Sequence, residues 1–160
     1  AAAIAGEFGM AERAAEIATI ARRALSSSAV QRALRSEHVL LETPFTVALP
    51  AGDAQAAGLP EGLAEGRIDL LFEEDGAAVI VDFKTDAVTA RDVDGRAAHY
   101  RNQALVYAWA VRSATRMPVR EVVFVFARPG IERAYPVDGV LLAEAEALMR
   151  SEPAREEALV

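Results

Sequence analysis

Apolar residues recur at two different spacings along this chain, and the changes of spacing divide it into elements. Met10, Ala14, Ile17, Ala21 and Leu25 fall at helical intervals with Glu and Arg between them, which predicts an amphipathic helix over Met10–Leu25. Ser26-Ser27-Ser28 closes it and offers an N-cap to a short second helix over Ala29–Arg35. Both helices are expected to serve packing. From Val39 to Leu49 the pattern becomes that of a strand, with Val39, Leu41, Phe45, Val47 and Leu49 toward one side and Glu42 and Thr46 toward the other. Pro44 cannot donate to a ladder and argues for an edge or a bulge there. Pro50 to Glu65, with Gly52, Gly58, Pro60 and Gly62, predicts a long flexible loop.

Ile68–Phe72 and Ala78–Phe83 are branched and aromatic, and Glu73-Glu74-Asp75-Gly76 between them ends in Asp-Gly, so the stretch predicts a β-hairpin. Thr85–Arg96 is polar and predicts a loop over one end of the sheet. Ala97–Met117, stopped by Pro118, carries Tyr100, Gln103, Ala104, Tyr107 and Val111 on one helical face. Glu121–Ala127 is almost continuously apolar, as a strand covered on both faces would be, and Arg128-Pro129-Gly130 turns it into an alternating outer strand, Ile131–Val137. Asp138 can cap a last helix over Val140–Arg150. The order helix, helix, strand, hairpin, helix, strand, strand, helix predicts an α/β fold with a mixed central sheet flanked by helices.

Composition narrows this picture. At 160 residues and 52% hydrophobic, the chain can bury one good core, so residues 1–160 are expected to form a single domain. With no apolar run that could cross a bilayer and no signal segment, a cytoplasmic location and no membrane partner are expected. The absence of cysteine excludes disulfides and thiolate metal sites. No internal repeat and no phosphate-binding loop is present, so any motor must lie outside this stretch.

Three charged residues interrupt the hairpin. Asp82 and Lys84 are two apart and must share a face. If the turn is the two-residue loop Asp75-Gly76, Asp69 lies opposite Asp82; if Glu73 to Gly76 all form the loop, Asp69 is diagonal to Asp82. Either register puts Asp69, Asp82 and Lys84 on one face. Two neighbouring carboxylates repel unless a cation lies between them. An all-oxygen site of this kind suits Mg²⁺, with Mn²⁺ as an alternative, and Lys84 beside it could orient or deprotonate a water or stabilise charge on a phosphate. A plain ion pair of Lys84 with Asp82 or Asp69 is the competing reading. Gln103 and Tyr107, one turn apart on the sheet-facing side of their helix, need polar partners and could find them in this cluster or a substrate backbone. Arg91, Arg96 and Arg101 are the nearest cations for phosphate contact, and His99 lies a turn before Gln103.

Gly66-x-x-Asp69, then Asp82-Phe83-Lys84-Thr85-Asp86, then Gln103-x-x-x-Tyr107, preceded by Glu42-Thr43-Pro44-Phe45, resembles in order and spacing the PD-(D/E)xK nuclease superfamily in its RecB/AddA branch. These are the nuclease domains of bacterial helicase-nucleases that process DNA double-strand breaks. The resemblance implies a restriction-endonuclease-like core and Mg²⁺-dependent cutting of DNA, with exonuclease character expected. It implies Asp69 and Asp82 as metal ligands together with the backbone carbonyl of Phe83, and Lys84 as the catalytic cation. Glu42, Gln103, Tyr107 and Arg101 would support the site or contact DNA, alongside upstream helicase domains of the same polypeptide and a second helicase-nuclease subunit. One departure stands out: the branch carries a histidine ligand on a helix at the start of the domain, and no counterpart is found here, since His38 immediately precedes a strand. A fragment lacking that first helix is the expected explanation. The net charge of −7 fits a domain to which others deliver DNA, because an independent DNA binder would show a basic stripe. The alternative is a catalytically inactive, nuclease-like module that guides DNA or serves a structural role in a repair complex.

Overall fold

The computed structural model describes residues 11–48 and 63–150. A 3₁₀ turn over Ala11–Arg13 leads into α1 (Ala14–Leu25), and the Ser27 hydroxyl caps α2 (Ser28–Ala33) by accepting from the Val30 N–H at 3.4 Å. Five strands follow in one sheet of order β1-β2-β3-β4-β5: β1 (Val39–Ala48), β2 (Leu63–Glu74), β3 (Ala77–Lys84), β4 (Val119–Phe126) and β5 (Ile131–Pro136). Between β3 and β4 run α3 (Val93–His99) and α4 (Arg101–Thr115), and α5 (Gly139–Arg150) closes the order. β3 and β4 pair in parallel, joined by a helical crossover that returns the chain to the same end of the sheet, and the other described strand pairs are antiparallel. The predicted mixed sheet flanked by helices is therefore the observed one.

The hairpin turn is the two-residue loop. Asp75 (φ 49°) and Gly76 (φ 74°) both take the left-handed region, as a type I′ turn demands, and Glu74 pairs with Ala77. The ladder then runs from Glu74–Ala77 to Leu70–Val81, a register that sets Asp69 opposite Asp82 when continued by one step.

The sheet buries both faces. Ile80, Val122, Phe124 and Phe126 meet Ala104, Leu105, Ala108 and Val111 of α4 on one side, while Phe72, Val79, Val81, Val123 and Val125 meet Ala29, Val30 and Ala33 of α2 on the other. The near-continuous apolar run of β4 follows from this, since a central strand covered on both faces has no solvent side. Amphipathic α1 contributes no fully buried side chain, and Leu25 on its expected inner face is 61% exposed.

Several boundaries differ from the sequence expectation for identifiable reasons. β2 begins at Leu63, inside the segment expected to be loop, because Leu63, Ala64 and Glu65 find ladder partners in Ala48, Val47 and Thr46. The rest of that segment, Met10 and the tail beyond Arg150 lie outside the described residues. The helix expected over Ala97–Met117 is broken at Tyr100, which ends α3 and starts α4 with φ −91° and ψ 3°. α4 stops at Thr115 because Arg116 turns left-handed (φ 62°) and bonds back to the Arg112 carbonyl at 2.9 Å.

Strict alternation also fails at one place in β2. Ile68 packs on the α4 side, whereas Leu70 and Phe72 pack on the α2 side and Leu71 returns to the α4 side. The neighbouring strand kinks at the same level: pairing steps from Leu41–Leu70 to Thr43–Ile68 across Glu42, whose φ is 49°. Asp69 sits at this break. Below it, the Phe45 ring crosses Gly66 so closely that a Cβ there would stand 2.6 Å from the ring, and it meets Tyr107 edge-on at 5.7 Å.

Candidate active site

β3 ends in Asp82, Phe83 and Lys84, with Asp82 and Lys84 on the α4 face. Both are sheltered: the Asp82 side chain is 6% exposed and that of Lys84 13%. The Lys84 ammonium lies 2.8 Å from Asp82 Oδ2 and donates to Gln103 Oε1 at 2.7 Å. Since an ammonium has donors and no acceptor, this contact fixes the orientation of the Gln103 amide, whose Nε2 then donates to Asp82 Oδ1 at 3.1 Å and to the Tyr107 oxygen at 2.6 Å. The Tyr107 hydroxyl lies 2.9 Å from both Asp82 Oδ1 and the Arg67 carbonyl. Its single proton can serve one at a time, and the charged carboxylate is the stronger acceptor. Helical spacing places Gln103 and Tyr107 one turn apart, and their two polar groups meet the same carboxylate.

Asp69 enters differently from the simple alternation argument. At the break in β2 its Oδ2 accepts the Phe83 backbone N–H at 2.7 Å, in place of a ladder bond that stops at Leu70–Val81. The adjacent Lys84 carbonyl faces β4, where it accepts from the Ala127 N–H at 2.9 Å. Backbone N–H and C=O of one strand residue point to the same edge and alternate along the strand, so the Phe83 carbonyl points toward β2 beside Asp69, beyond the end of the ladder. The structure thus brings Asp69 to Phe83, and Asp82, Lys84, Gln103 and Tyr107 to one another.

Burial raises the Asp82 carboxyl above the ordinary carboxylate range; the hydrogen bond and charge of Lys84 and the hydrogen bond of Tyr107 pull it back, and the charge of Asp69 adds a smaller upward push. The Tyr107 phenol is raised, first by burial and then by the negative charge of Asp82, so it stays a neutral donor.

The donor set fits a hard divalent cation. A carboxylate offers about four lone-pair positions. Asp82 spends three on Lys84, Gln103 and Tyr107, Asp69 spends one on Phe83, and the Phe83 carbonyl adds a neutral oxygen. Among the described residues no three His, Cys, Asp or Glu side chains converge, so two carboxylates are the side-chain ligands on offer. Mg²⁺ is commonly held in that way, with water and substrate oxygens completing its shell.

Among the described residues, no hydrogen bond or ion pair joins the other expected residues to Asp69, Asp82 or Lys84. Glu42 is exposed and pairs with Arg67 at 3.5 Å, and Arg101 pairs with Glu144 of α5. Arg91 is exposed, and His99 Nδ1 lies 2.8 Å from the Gly95 carbonyl. Arg96 is paired with Asp86 at 2.6 Å. Sequence reasoning gives no role of their own to Asp86 and Tyr100, which adjoin Lys84. The signal is present: Asp86 follows Lys84 by two, and Tyr100 precedes Gln103 by one helical step.

A family model described as the PD-(D/E)XK nuclease superfamily matches residues 3–159. The A subunit of the ATP-dependent helicase/nuclease of Carboxydothermus hydrogenoformans is 40% identical over 94 residues, which is 57% of this chain and 8% of that protein. The protein of the same name from Bacillus pumilus is 32% identical over 117 residues, 67% of this chain and 10% of its own length. The chain therefore spans a small part of these relatives. A solved structure from Eubacterium rectale, described as a candidate exonuclease, aligns at a TM-score of 0.49 and 19% identity, over 89% of this chain and 50% of that one. With the match running along nearly the whole sequence, the chain belongs to the PD-(D/E)XK nuclease superfamily.

Proposed function

We propose that this chain is a divalent-metal-dependent deoxyribonuclease domain that hydrolyses phosphodiester bonds as part of a helicase-nuclease acting in double-strand break repair and recombination. The observation that carries the reading is the Lys84 ammonium held 2.8 Å from the buried Asp82 carboxylate at the strand end where Asp69 binds the Phe83 amide. Asp69, Asp82 and the Phe83 carbonyl would hold Mg²⁺ or Mn²⁺. When bound, the metal supplies Lewis-acid polarisation of a phosphoryl oxygen and a more acidic water.

The chain's own groups do the rest. Asp82 and Gln103 occupy two of the three Lys84 N–H donors and leave the third for an attacking water or a phosphoryl oxygen. Tyr107 and Gln103 fix the Asp82 carboxylate, so that it keeps one orientation while the substrate changes. In the helicase/nuclease relatives the matching stretch is a small part of a longer polypeptide. By analogy the partners are DNA, helicase domains of the same polypeptide and a second helicase-nuclease subunit, in the cytoplasm. Among the described residues no helix is long and apolar enough to cross a membrane.

A second reading is a nuclease-like module without activity that guides DNA. It is favoured by the net charge of −7 and by the convergence of only two carboxylates among the described residues. Retention of Asp69, Asp82 and Lys84 together weighs against it. The test is digestion of end-labelled single-stranded DNA in Mg²⁺, Mn²⁺ or EDTA by the native chain and by Asp69→Ala. Cutting that needs the metal and Asp69 supports the nuclease; a folded native chain that is silent in both metals supports the guiding module.

A further inference from the structure

The surroundings of Lys84 extend past the carboxylate cluster. Tyr100, at the break between α3 and α4, sets the face of its ring against the ammonium, with Lys84 Nζ 4.0 Å from the ring centroid. A cation over an aromatic face is attracted by the ring quadrupole, the more so when water is excluded, and the Lys84 side chain is 13% exposed. The ring itself is tied down. Its hydroxyl donates to Asp86 Oδ2 at 2.8 Å, and Asp86 Oδ1 accepts from Arg96 Nε and Nη2 at 3.0 and 2.6 Å. Phe124 and Phe126 pack against it at centroid distances of 5.4 and 6.2 Å.

Lys84 is the chain's single lysine among 17 lysines and arginines. A compact ammonium on a four-carbon stem has many rotamers, and neither Asp82 nor Gln103 alone would select one that leaves an N–H free. We propose that Tyr100 is a positioning residue for Lys84: its ring, locked by Asp86 and Arg96, holds the ammonium between Asp82 and Gln103 with the third N–H available to the reacting phosphate or water. This deepens the nuclease reading and rests on it. Tyr100 acts through Lys84, so its loss should slow turnover without weakening the grip on DNA.

Because there is one lysine, lysine-selective isotope labelling yields a single side-chain signal set. In the native chain in EDTA, the Lys84 methylene next to the ammonium should be ring-shifted; Tyr100→Leu should cut that shift to what the Phe124 ring, 5.3 Å from Lys84 Nζ, supplies, and Tyr100→Phe, which keeps the ring and loses its tether, should retain part of it. With Mg²⁺ and single-stranded DNA, Tyr100→Leu should lower kcat about tenfold or more with KM changed by less than about twofold, and Tyr100→Phe should recover part of the loss, because the ring remains while its tether is gone. Asp86→Ala frees the tether while sparing the packed ring, and should shrink the ring shift and lower kcat; this second variant decides the matter if Tyr100→Leu does not fold. A Lys84 shift absent from the native chain, unchanged in Tyr100→Leu, or reduced there without any fall in kcat, overturns the proposal. A ring-shifted signal in a native chain that cuts no DNA supports the placement of the ring and overturns the nuclease reading instead, which separates the two failures.

Discussion

At the scale of single residues, the energetics turn on the fact that Asp82 and Lys84 are sheltered together. A buried carboxylate is costly, which is why its carboxyl is raised, and the ammonium offsets part of that cost. Asp82→Ala therefore removes more than a proposed metal ligand: it leaves Lys84, Gln103 and Tyr107 without their common acceptor. We expect the metal-free variant to lose on the order of 2–4 kcal/mol in urea unfolding, together with its affinity for Mg²⁺. Unchanged stability in EDTA would mean that the pair is solvated in solution. Much of this arrangement was legible in the sequence, since Asp82 and Lys84 are two apart in a strand and Gln103 and Tyr107 one turn apart in a helix. Asp69 was legible as a partner, whereas its use of the Phe83 amide was not, because that follows from a break in alternation which no residue type announces.

At the scale of elements, turn chemistry and capping carry the predictable part. Asp75-Gly76 specifies its turn because both positions need positive φ, and Asp138 caps α5 by accepting from the Leu141 N–H at 2.8 Å. Asp138→Ala should cost about 1 kcal/mol by urea unfolding. The unpredicted features are those set by tertiary contacts: the break at Tyr100 contains neither Gly nor Pro, and the kink at Glu42 uses a left-handed residue that sequence rules would reserve for Gly or Asn. Glu42 is expected near the site from its motif position and Arg101 as a cation for phosphate contact; the kinked strand gives Glu42 an ion-pair partner in Arg67, and α5 gives Arg101 one in Glu144. Gly66 illustrates the opposite case, where one residue type answers to packing. Gly66→Ala would drive a methyl into the Phe45 ring and displace it from Tyr107, with an expected loss of about 1–3 kcal/mol and slower DNA cutting. A variant as stable as the native chain would show that the Phe45 ring moves freely.

At the scale of the whole molecule, charge is distributed as cross-links between elements. Arg32 of α2 binds Glu74 of β2 and Glu121 of β4, and Arg128 ties Thr85 to Glu16 of α1. The Arg32 hydrogen bond holds the Glu74 carboxyl below the ordinary range, and Arg96 does the same for Asp86. For such groups the folded state binds its proton less readily than the unfolded chain, so their contribution is present above the ordinary carboxylate value and is lost as pH falls through the folded one. Asp82 has the opposite sign: its penalty is absent in acid and sets in as pH rises through the ordinary value to the raised one. In EDTA, Glu74→Gln should be less stable than the native chain at pH 7, and the gap should close as pH falls below the ordinary carboxylate range; a gap independent of pH would contradict the assignment.

The central claim is that the end of β3 is a hydrolytic site in which Lys84 acts on the reaction and the two aspartates hold the metal. Its most direct test pairs Mg²⁺ binding by calorimetry with cleavage of end-labelled single-stranded DNA, for the native chain and Lys84→Ala. The account predicts that Lys84→Ala keeps its Mg²⁺ affinity and loses on the order of 10²–10³ in kcat, the usual consequence of removing one preorganised electrostatic group. Turnover equal to that of the native chain would contradict it and return the Asp82–Lys84 contact to a structural ion pair.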